Sequence, residues 1–356
     1  MNKLLFRLFR NNEIKVHELN YLFWECTSRC NLHCRHCGSD CGKEVRYQDM
    51  PLEDFLGALD TIPRKHRPKG FTVVLTGGEP LLRPDIQQIG RCISSRGFGW
   101  GMVSNGYFYN EEMHRNLIAS GMMALTISLD GTKENHDWMR GKSDCYEHTL
   151  KAISIAAIES RLNFDVVTCV NRKNIGELET LFEILQGLGV RKWRLFTIIP
   201  IGRAANNPDM QLTDDELLSL MHFIEGHRKS SASLSVSFSC EGYLGPFEER
   251  VRDNRFFCHA GINIASVLID GSINACPNID RAAFNQGNIY QDNFYEVWEN
   301  GFLAFRNRQW ARKGQCADCP VWRNCLGDGM HNWHGNLDSV LTCHYSRIIS
   351  AIEHHS

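Results

Sequence analysis

The sequence lacks most of the compositional features that would mark a specialised chain. It has no excess of charge: 39 Lys and Arg stand against 41 Asp and Glu, a net of −2. That balance leaves no electrostatic footprint for nucleic acid or for an anionic membrane. Long apolar runs are missing too. The longest charge-free apolar stretch lies near Met122–Leu129, far short of the ~18 residues that span a bilayer. The opening MNKLLFRLFRNNE begins like a signal peptide, but Arg7 and Arg10 break its apolar run early. These absences place the protein in the cytoplasm, with no nucleic-acid partner and no membrane span. No internal repeat or low-complexity linker interrupts the chain. The single basic run, Arg64–Lys69, sits between a helical pattern and a strand and reads as a solvated turn.

What the chain does have is cysteine, 15 in 356 residues. Secreted disulfide scaffolds exceed ~8% Cys in much shorter chains. An odd count also cannot close entirely into internal disulfides. Yet the number exceeds what a cytosolic enzyme needs for packing, so thiols are being used. The rest, 43% apolar and 22% charged, is that of an ordinary globule long enough for two domains.

Short β-rich runs alternate with helical patterns through the first two thirds. The runs are Leu19–Glu25, Phe71–Thr76, Trp100–Ser104, Ala124–Leu129, Phe164–Val170 and Trp193–Ile199. Helical spacing covers Leu52–Ile62, Asp85–Arg96, Tyr146–Ser160 and Ile175–Leu188. Six strand–helix units in a row predict an α/β fold with a parallel sheet, doubly wound or curled as a partial barrel. Ligands then bind at the C-terminal strand ends. After a further helix (Leu212–Arg228) and a short alternating run (Ser233–Phe238), the chain turns rich in Gly, Asn and Cys. So little regular structure calls for metal staples.

Directly after the first run stands Cys30-Asn-Leu-His-Cys34-Arg-His-Cys37. Three closely spaced thiolates can hold three corners of a [4Fe–4S] cube and leave one iron open, whereas a zinc site would need a fourth ligand from His36 or Cys41. The second run ends in Thr76-Gly77-Gly78-Glu79-Pro80, at the same rim. Its paired glycines permit close approach of backbone to a ligand, and Glu79 can accept from an ammonium group.

C-x3-C-x2-C after strand one and GGEP after strand two together resemble the radical S-adenosylmethionine (SAM) superfamily. The resemblance implies a partial (β/α)6 TIM-like barrel over residues 19–230, preceded by an N-terminal extension, 1–18. It implies a SAM-binding [4Fe–4S] cluster on Cys30, Cys34 and Cys37, with SAM cleaved to a 5′-deoxyadenosyl radical. Gly77, Gly78 and Glu79 would hold the methionyl amino group. Ser104 and Asn105, and Ser128 with Asp130, would meet ribose or carboxylate oxygens. Arg140 would pair with the SAM carboxylate. His36 stands where the family usually has an aromatic residue.

The tail reads Cys258-x17-Cys276, then Cys316-x2-Cys319-x5-Cys325, then Cys343. Gly271–Cys276 looks like a hairpin that delivers its cysteine, and Asn288–Arg306 like one amphipathic helix. A zinc knuckle is the bland reading. The succession resembles the SPASM extension, an auxiliary Fe–S domain, here residues 231–356. By that resemblance Cys316, Cys319, Cys325 and Cys343 complete one auxiliary cluster. Full SPASM domains have a further Cys at the position of Gly329 and another soon after Cys258. Here Cys258 and Cys276 are left with an incomplete site, a smaller cluster or a borrowed ligand. Sulfatase-maturing relatives carry an Asp directly after the position of Cys276; this chain has Pro277, with Asp280 three residues on.

The expected function is that of a radical SAM oxidoreductase or maturase acting on a peptide or protein side chain, by crosslinking, oxidation or epimerisation. An electron donor such as flavodoxin or ferredoxin would serve it. Fewer than twenty residues precede strand one, so recognition of a leader peptide would fall to a separate protein or to the barrel. The chain is also similar to a bacterial radical SAM group paired with a lipoprotein. Cys169, at the end of strand five, is a candidate hydrogen-atom donor, against its bland reading as a buried small hydrophobe. Asp280 is the other catalytic candidate. The alternatives are side-chain processing of a tetrapyrrole, as in haem or haem d1 synthesis, and a metal-stapled scaffold without turnover.

Overall fold

A computed structural model describes residues 3–43, 47–230, 233–239, 241–335 and 337–355. Cys240, one of the cysteines without an expected role, lies outside the described residues. The chain opens with helix α1 (Lys3–Val16) and strand β1 (Tyr21–Thr27). It then alternates α2 (Leu52–Asp60), β2 (Thr72–Gly77), α3 (Ile86–Ser95), β3 (Gly99–Ser104), α4 (Glu111–Ala119) and β4 (Met122–Ser128). Two helices, α5 (Lys133–Arg140) and α6 (Cys145–Ala157), lead to β5 (Asn163–Val170), α7 (Leu178–Gly187), β6 (Lys192–Thr197), α8 (Asp214–Lys229) and β7 (Ser235–Phe238).

Strands β1 to β7 pair in sequence order, all parallel. The expected partial barrel is therefore present, and it is not closed. A parallel sheet must be covered on both faces. Its packing is led by Trp24, stacked on Phe55 of α2 at 4.0 Å, and by Trp100 and Trp193, all fully buried.

Beyond residue 230 both β7 and β8 (Ile264–Val267) join this sheet, β8 lying parallel to the free side of β1. Strand β9 (Ser272–Asn274) returns antiparallel across the turn at Gly271, as the hairpin reading expected. Then come α9 (Arg281–Phe284) and β10 (Gly287–Asn288), the outermost strand of a ten-stranded sheet. The single amphipathic helix expected over Asn288–Arg306 is not formed. Its first residues are in β10, and two helices follow, α10 (Phe294–Asn300) and α11 (Leu303–Arg306). Gly301 and Phe302 interrupt them, Phe302 taking the left-handed conformation (φ 61°) with its ring fully buried. Burial of that ring outweighs helix continuity. The short helix α12 (Trp322–Cys325) and the closing helix α13 (His344–His354) complete the tail, α13 packing on α8.

The N-terminal extension is α1, and it docks on the cysteine-rich tail. Phe6 packs with Phe257 and Ile262, and the buried Arg10 donates to the carbonyls of Asn324 (3.0 Å) and Arg323 (2.9 Å). These carbonyls directly precede Cys325. Arg10→Ala should cost about 1.5–3 kcal/mol, the range for hydrogen bonds from a charged donor; chemical denaturation of the purified protein checks it. Among the described residues no helix is long and apolar enough to cross a membrane.

Candidate active site

The loop after β1 carries Cys30, Cys34 and Cys37, none of them in a disulfide. Cys30 and Cys37 pack against the buried Leu32, Cys34 and Cys145, with Tyr107 alongside. Burial, and then the neighbouring thiols, push the Cys30 thiol up to about 12; burial also raises Cys34, against the pull of Arg140. Iron must therefore displace protons to bind here.

The loop is fixed by its backbone. His33 and Arg35 N–H groups donate to the carbonyls of Arg140 (3.3 Å) and Met139 (2.9 Å) at the end of α5. Arg203, after β6, donates to the carbonyls of Cys34 (2.7 Å) and Cys41 (3.0 Å) and to Asp40 (2.8 Å). Nothing in the sequence singled out Arg203, because a side chain that grips carbonyls leaves no motif. Arg203→Ala should lower the iron retained after desalting, with circular dichroism little changed; iron and sulfide assays check it.

The GGEP loop is held against the cysteine loop by its backbone. Gly78 and Glu79 N–H groups donate to the carbonyls of Thr27 and Arg29, both at 2.8 Å. A Cβ on Gly77 (φ 118°) would stand 2.2 Å from the Thr27 carbonyl oxygen, and one on Gly78 2.0 Å from that of Arg29. The paired glycines thus let this loop close against the cysteine loop. The Glu79 carboxylate is buried and occupied: it accepts from Leu81 N (3.1 Å), Ser104 Oγ (2.9 Å) and Asn105 N (2.8 Å). It ties the ends of β2 and β3 together. Asn105 reaches the cysteine loop, its amide donating to Asn31 Oδ1 (2.9 Å) and lying 4.0 Å from Cys30 Sγ.

At the end of β4, Ser128 is half-buried and Asp130 fully buried. The Asp130 carboxylate lies 2.5 Å from Arg140 Nη2 and 3.8 Å from His36 Nε2, and it accepts from Cys169 N (2.9 Å). Burial alone would raise its pKa; Arg140, His36, His136 and the Cys169 N–H hold it below the ordinary carboxylate range. Arg140 also reaches Cys34 Sγ (3.7 Å). His36 is driven down to about 4 by burial, against the pull of Asp130, and stays neutral. One ligand atom from each of His36, Asp130 and Cys169 lies within 4.8 Å of the others. Burial, and then Asp130, push the Cys169 thiol well above its ordinary value, so it keeps its proton.

The donor set fits a cluster with a bound cofactor that presents a carboxylate. Three cysteines share one loop at the strand ends, and the buried donors Asn31 Nδ2, His36 Nδ1 and Arg140 Nε have no hydrogen-bond acceptor among the described residues.

In the tail, Cys316, Cys319, Cys325 and Cys343 line one cavity of about 380 Å³ with Trp322 and Val340. Burial raises the thiols of Cys316 (to about 11), Cys325 and Cys343, and neighbouring tail thiols add to each. This donor set fits a four-thiolate cluster. Cys258 and Cys276 are not part of that cavity. Asp280 caps α9, accepting from Ala282 N and Ala283 N at 3.0 Å, and also accepts from Gly335 N. Three backbone N–H groups already bond to it, which weighs against it as a free acid.

Comparison with known proteins agrees with this architecture. Residues 24–185 match the family model of the radical SAM superfamily, and residues 258–320 that of the SPASM iron–sulfur cluster-binding domain. The AdoMet-dependent heme synthase of Methanosarcina barkeri is 27% identical over 320 residues, covering 85% of this chain and 89% of its own. Mycofactocin maturase MftC of Mycobacterium ulcerans is 28% identical over 314 residues, covering 87% and 82%. Among solved structures, Streptococcus suis SuiB bound to S-adenosylmethionine superposes with a TM-score of 0.70 at 13% identity, over 92% of this chain and 78% of its own. Native anSMEcpe with bound AdoMet and a peptide gives 0.69 at 18% identity, over 94% and 97%. At such identities the last two speak for the fold alone.

Proposed function

The chain belongs to the radical SAM superfamily, as an enzyme with a SPASM iron–sulfur region after its barrel, and from that premise we propose that it modifies a side chain of a peptide or protein. Its cofactors are a [4Fe–4S] cluster, SAM and auxiliary iron–sulfur. When bound and reduced, the first two supply a 5′-deoxyadenosyl radical. The chain's own residues do the rest. Cys30, Cys34 and Cys37 would hold the cluster in a loop gripped by Arg203, and Arg140 would meet the SAM carboxylate. Ser104, Asn105 and Ser128 would serve the ribose, and Asp130 orients Arg140. Cys169, its thiol shielded and protonated beside Asp130, is the candidate donor of a hydrogen atom to a substrate radical.

The observation that carries the peptide reading is the state of five arginines after the strand ends. Arg29, Arg83, Arg140, Arg172 and Arg203 are each paired with a carboxylate: Asp49, Asp85, Asp130, Glu216 and Asp40. A tetrapyrrole whose propionates were held by these arginines would have to break such pairs; a peptide side chain would not. The similarity to a heme synthase favours the tetrapyrrole as the second reading. The scaffold without turnover is set aside by the family.

A cleft of about 310 Å³ outside the cysteine loop is lined by His33, Arg35, Arg203, Asn206 and Asn207, and an electron donor such as flavodoxin or ferredoxin would reduce the cluster. The test is anaerobic turnover of reconstituted protein with reductant and SAM, offered peptides encoded beside its gene or a propionate-bearing tetrapyrrole. Peptide-dependent 5′-deoxyadenosine with a mass change in the peptide is expected. Turnover of the tetrapyrrole alone would overturn the reading.

A further inference from the structure

Five of the thirteen large apolar side chains exposed among the described residues belong to one helix, α1: Leu4, Leu5, Leu8, Phe9 and Val16. We propose that α1 lays this face on an anionic lipid surface, so that the enzyme works as a peripheral membrane protein.

The helix has two sides. Phe6, Arg10 and Ile14 recur every fourth residue and form the docked one. Phe6 and Ile14 pack with Phe257 and Ile262, and Arg10 is held by the carbonyls that precede Cys325. Glu13, the only acid in α1, is turned the same way, where it accepts from Asn263 Nδ2 at 3.2 Å. Helical spacing puts Leu4, Leu5 and Leu8 on the opposite side. They are 64%, 53% and 58% exposed, and Phe9, whose ring meets Phe257 edge-on at 6.2 Å, is still 45% exposed. Single apolar residues on a surface need no explanation, but a contiguous group of them on one helix face does. Because the other side is already docked, the leucines are presented without any unfolding.

Charge selects the occupant. The helix carries Lys3, Arg7, Arg10 and Lys15 against Glu13, a local excess that the whole-chain net of −2 conceals. Lys3 and Lys15 are exposed and Arg7 is half-buried, and none of the three pairs with a carboxylate among the described residues. Leucines and a phenylalanine set between basic residues, whose long stems can reach past the apolar face to phosphate headgroups, make a helix suited to the bilayer interface. Its 14 residues span about 21 Å, too short to cross the hydrocarbon core and long enough to lie along it. A second copy of this chain is the poorer occupant, since a two-fold contact through this face would set like charges against each other.

Sedimentation of the full-length, reconstituted protein with lipid vesicles tests this without any substrate. Wild type should be retained on vesicles of phosphatidylglycerol mixed with phosphatidylcholine, and far less on phosphatidylcholine alone. Retention should fall at about 1 M salt, where the screening length is ~3 Å. The Leu4→Ser, Leu8→Ser double variant should bind the anionic vesicles about tenfold more weakly or worse, because two leucines no longer enter the interface. Its circular dichroism and melting temperature should be unchanged, as both side chains face solvent. Lys3→Gln with Lys15→Gln should remove the preference for anionic lipid. Failure of wild type to bind the anionic vesicles would overturn the proposal, and so would equal binding by wild type and the leucine variant. A wild-type dimer that the leucine variant converts to monomer, with no vesicle binding by either, would overturn it by giving the face to a second copy.

Discussion

Replacing Cys30, Cys34 and Cys37 together by alanine is expected to abolish 5′-deoxyadenosine formation from SAM, while the tail keeps its iron. The two effects separate because the loop's path does not depend on its thiols. Its anchors are backbone carbonyls and N–H groups: Arg203 on the carbonyls of Cys34 and Cys41, His33 and Arg35 on the end of α5, and Gly78 and Glu79 on Thr27 and Arg29. Alanine removes the ligands and leaves that scaffold. The variant should lose about four irons, the content of one [4Fe–4S] cluster. Far-ultraviolet circular dichroism should be unchanged. Cys145 is the control. It packs beside Cys34, and its thiol is pushed up to about 11, chiefly by burial. Yet it is carried by a different element, α6, and Cys145→Ala should still cleave SAM. Product formation by the triple variant, or its loss in Cys145→Ala alone, would place the SAM-binding cluster on other ligands.

Local pattern explains what the sequence disclosed of this architecture and what it hid. The six strand runs were legible because each is a short apolar segment bounded by a helix of distinct period. The Cys30–Cys37 loop was legible because iron ligation demands fixed spacing. Strand β8 was not. It has four residues and pairs with a strand some 240 positions earlier, and its partner is chosen by packing that leaves no local trace. The helix α1 was hidden by an inverted pattern: Leu4, Leu5, Leu8 and Phe9 are exposed while Arg10 is buried. That arrangement mimics the start of a signal peptide. The GGEP residues were found but assigned by type. A carboxylate able to accept an ammonium accepts equally well from Ser104 and Asn105, and a glycine that permits close approach does not say what approaches. Arg203 acts through backbone carbonyls, which sequence spacing does not report.

Among single substitutions near SAM, Asp130→Ala should destabilise most, by about 3–5 kcal/mol, because it strands a buried cation. Arg140 is 6% exposed, and its nearest charged partner is Asp130 at 2.5 Å. A guanidinium cannot escape the loss by deprotonating. The same change leaves the Cys169 N–H without its acceptor. Arg140→Ala should cost less, since Asp130 keeps that N–H and can take up a proton in burial. The double variant should cost less than the sum of the singles, as coupled residues do. SAM turns this pair into a test of Arg140 as the carboxylate's partner. In wild type the SAM carboxylate must share Arg140 with Asp130. In Asp130→Ala it would no longer compete with Asp130 for that guanidinium. The shift in melting temperature on adding SAM, measured anaerobically on reconstituted protein, should therefore be larger in Asp130→Ala than in wild type, and smallest in Arg140→Ala. An equal shift in all three would mean that the SAM carboxylate is held elsewhere, and that the Asp130–Arg140 pair serves only to fix α5 against the cysteine loop.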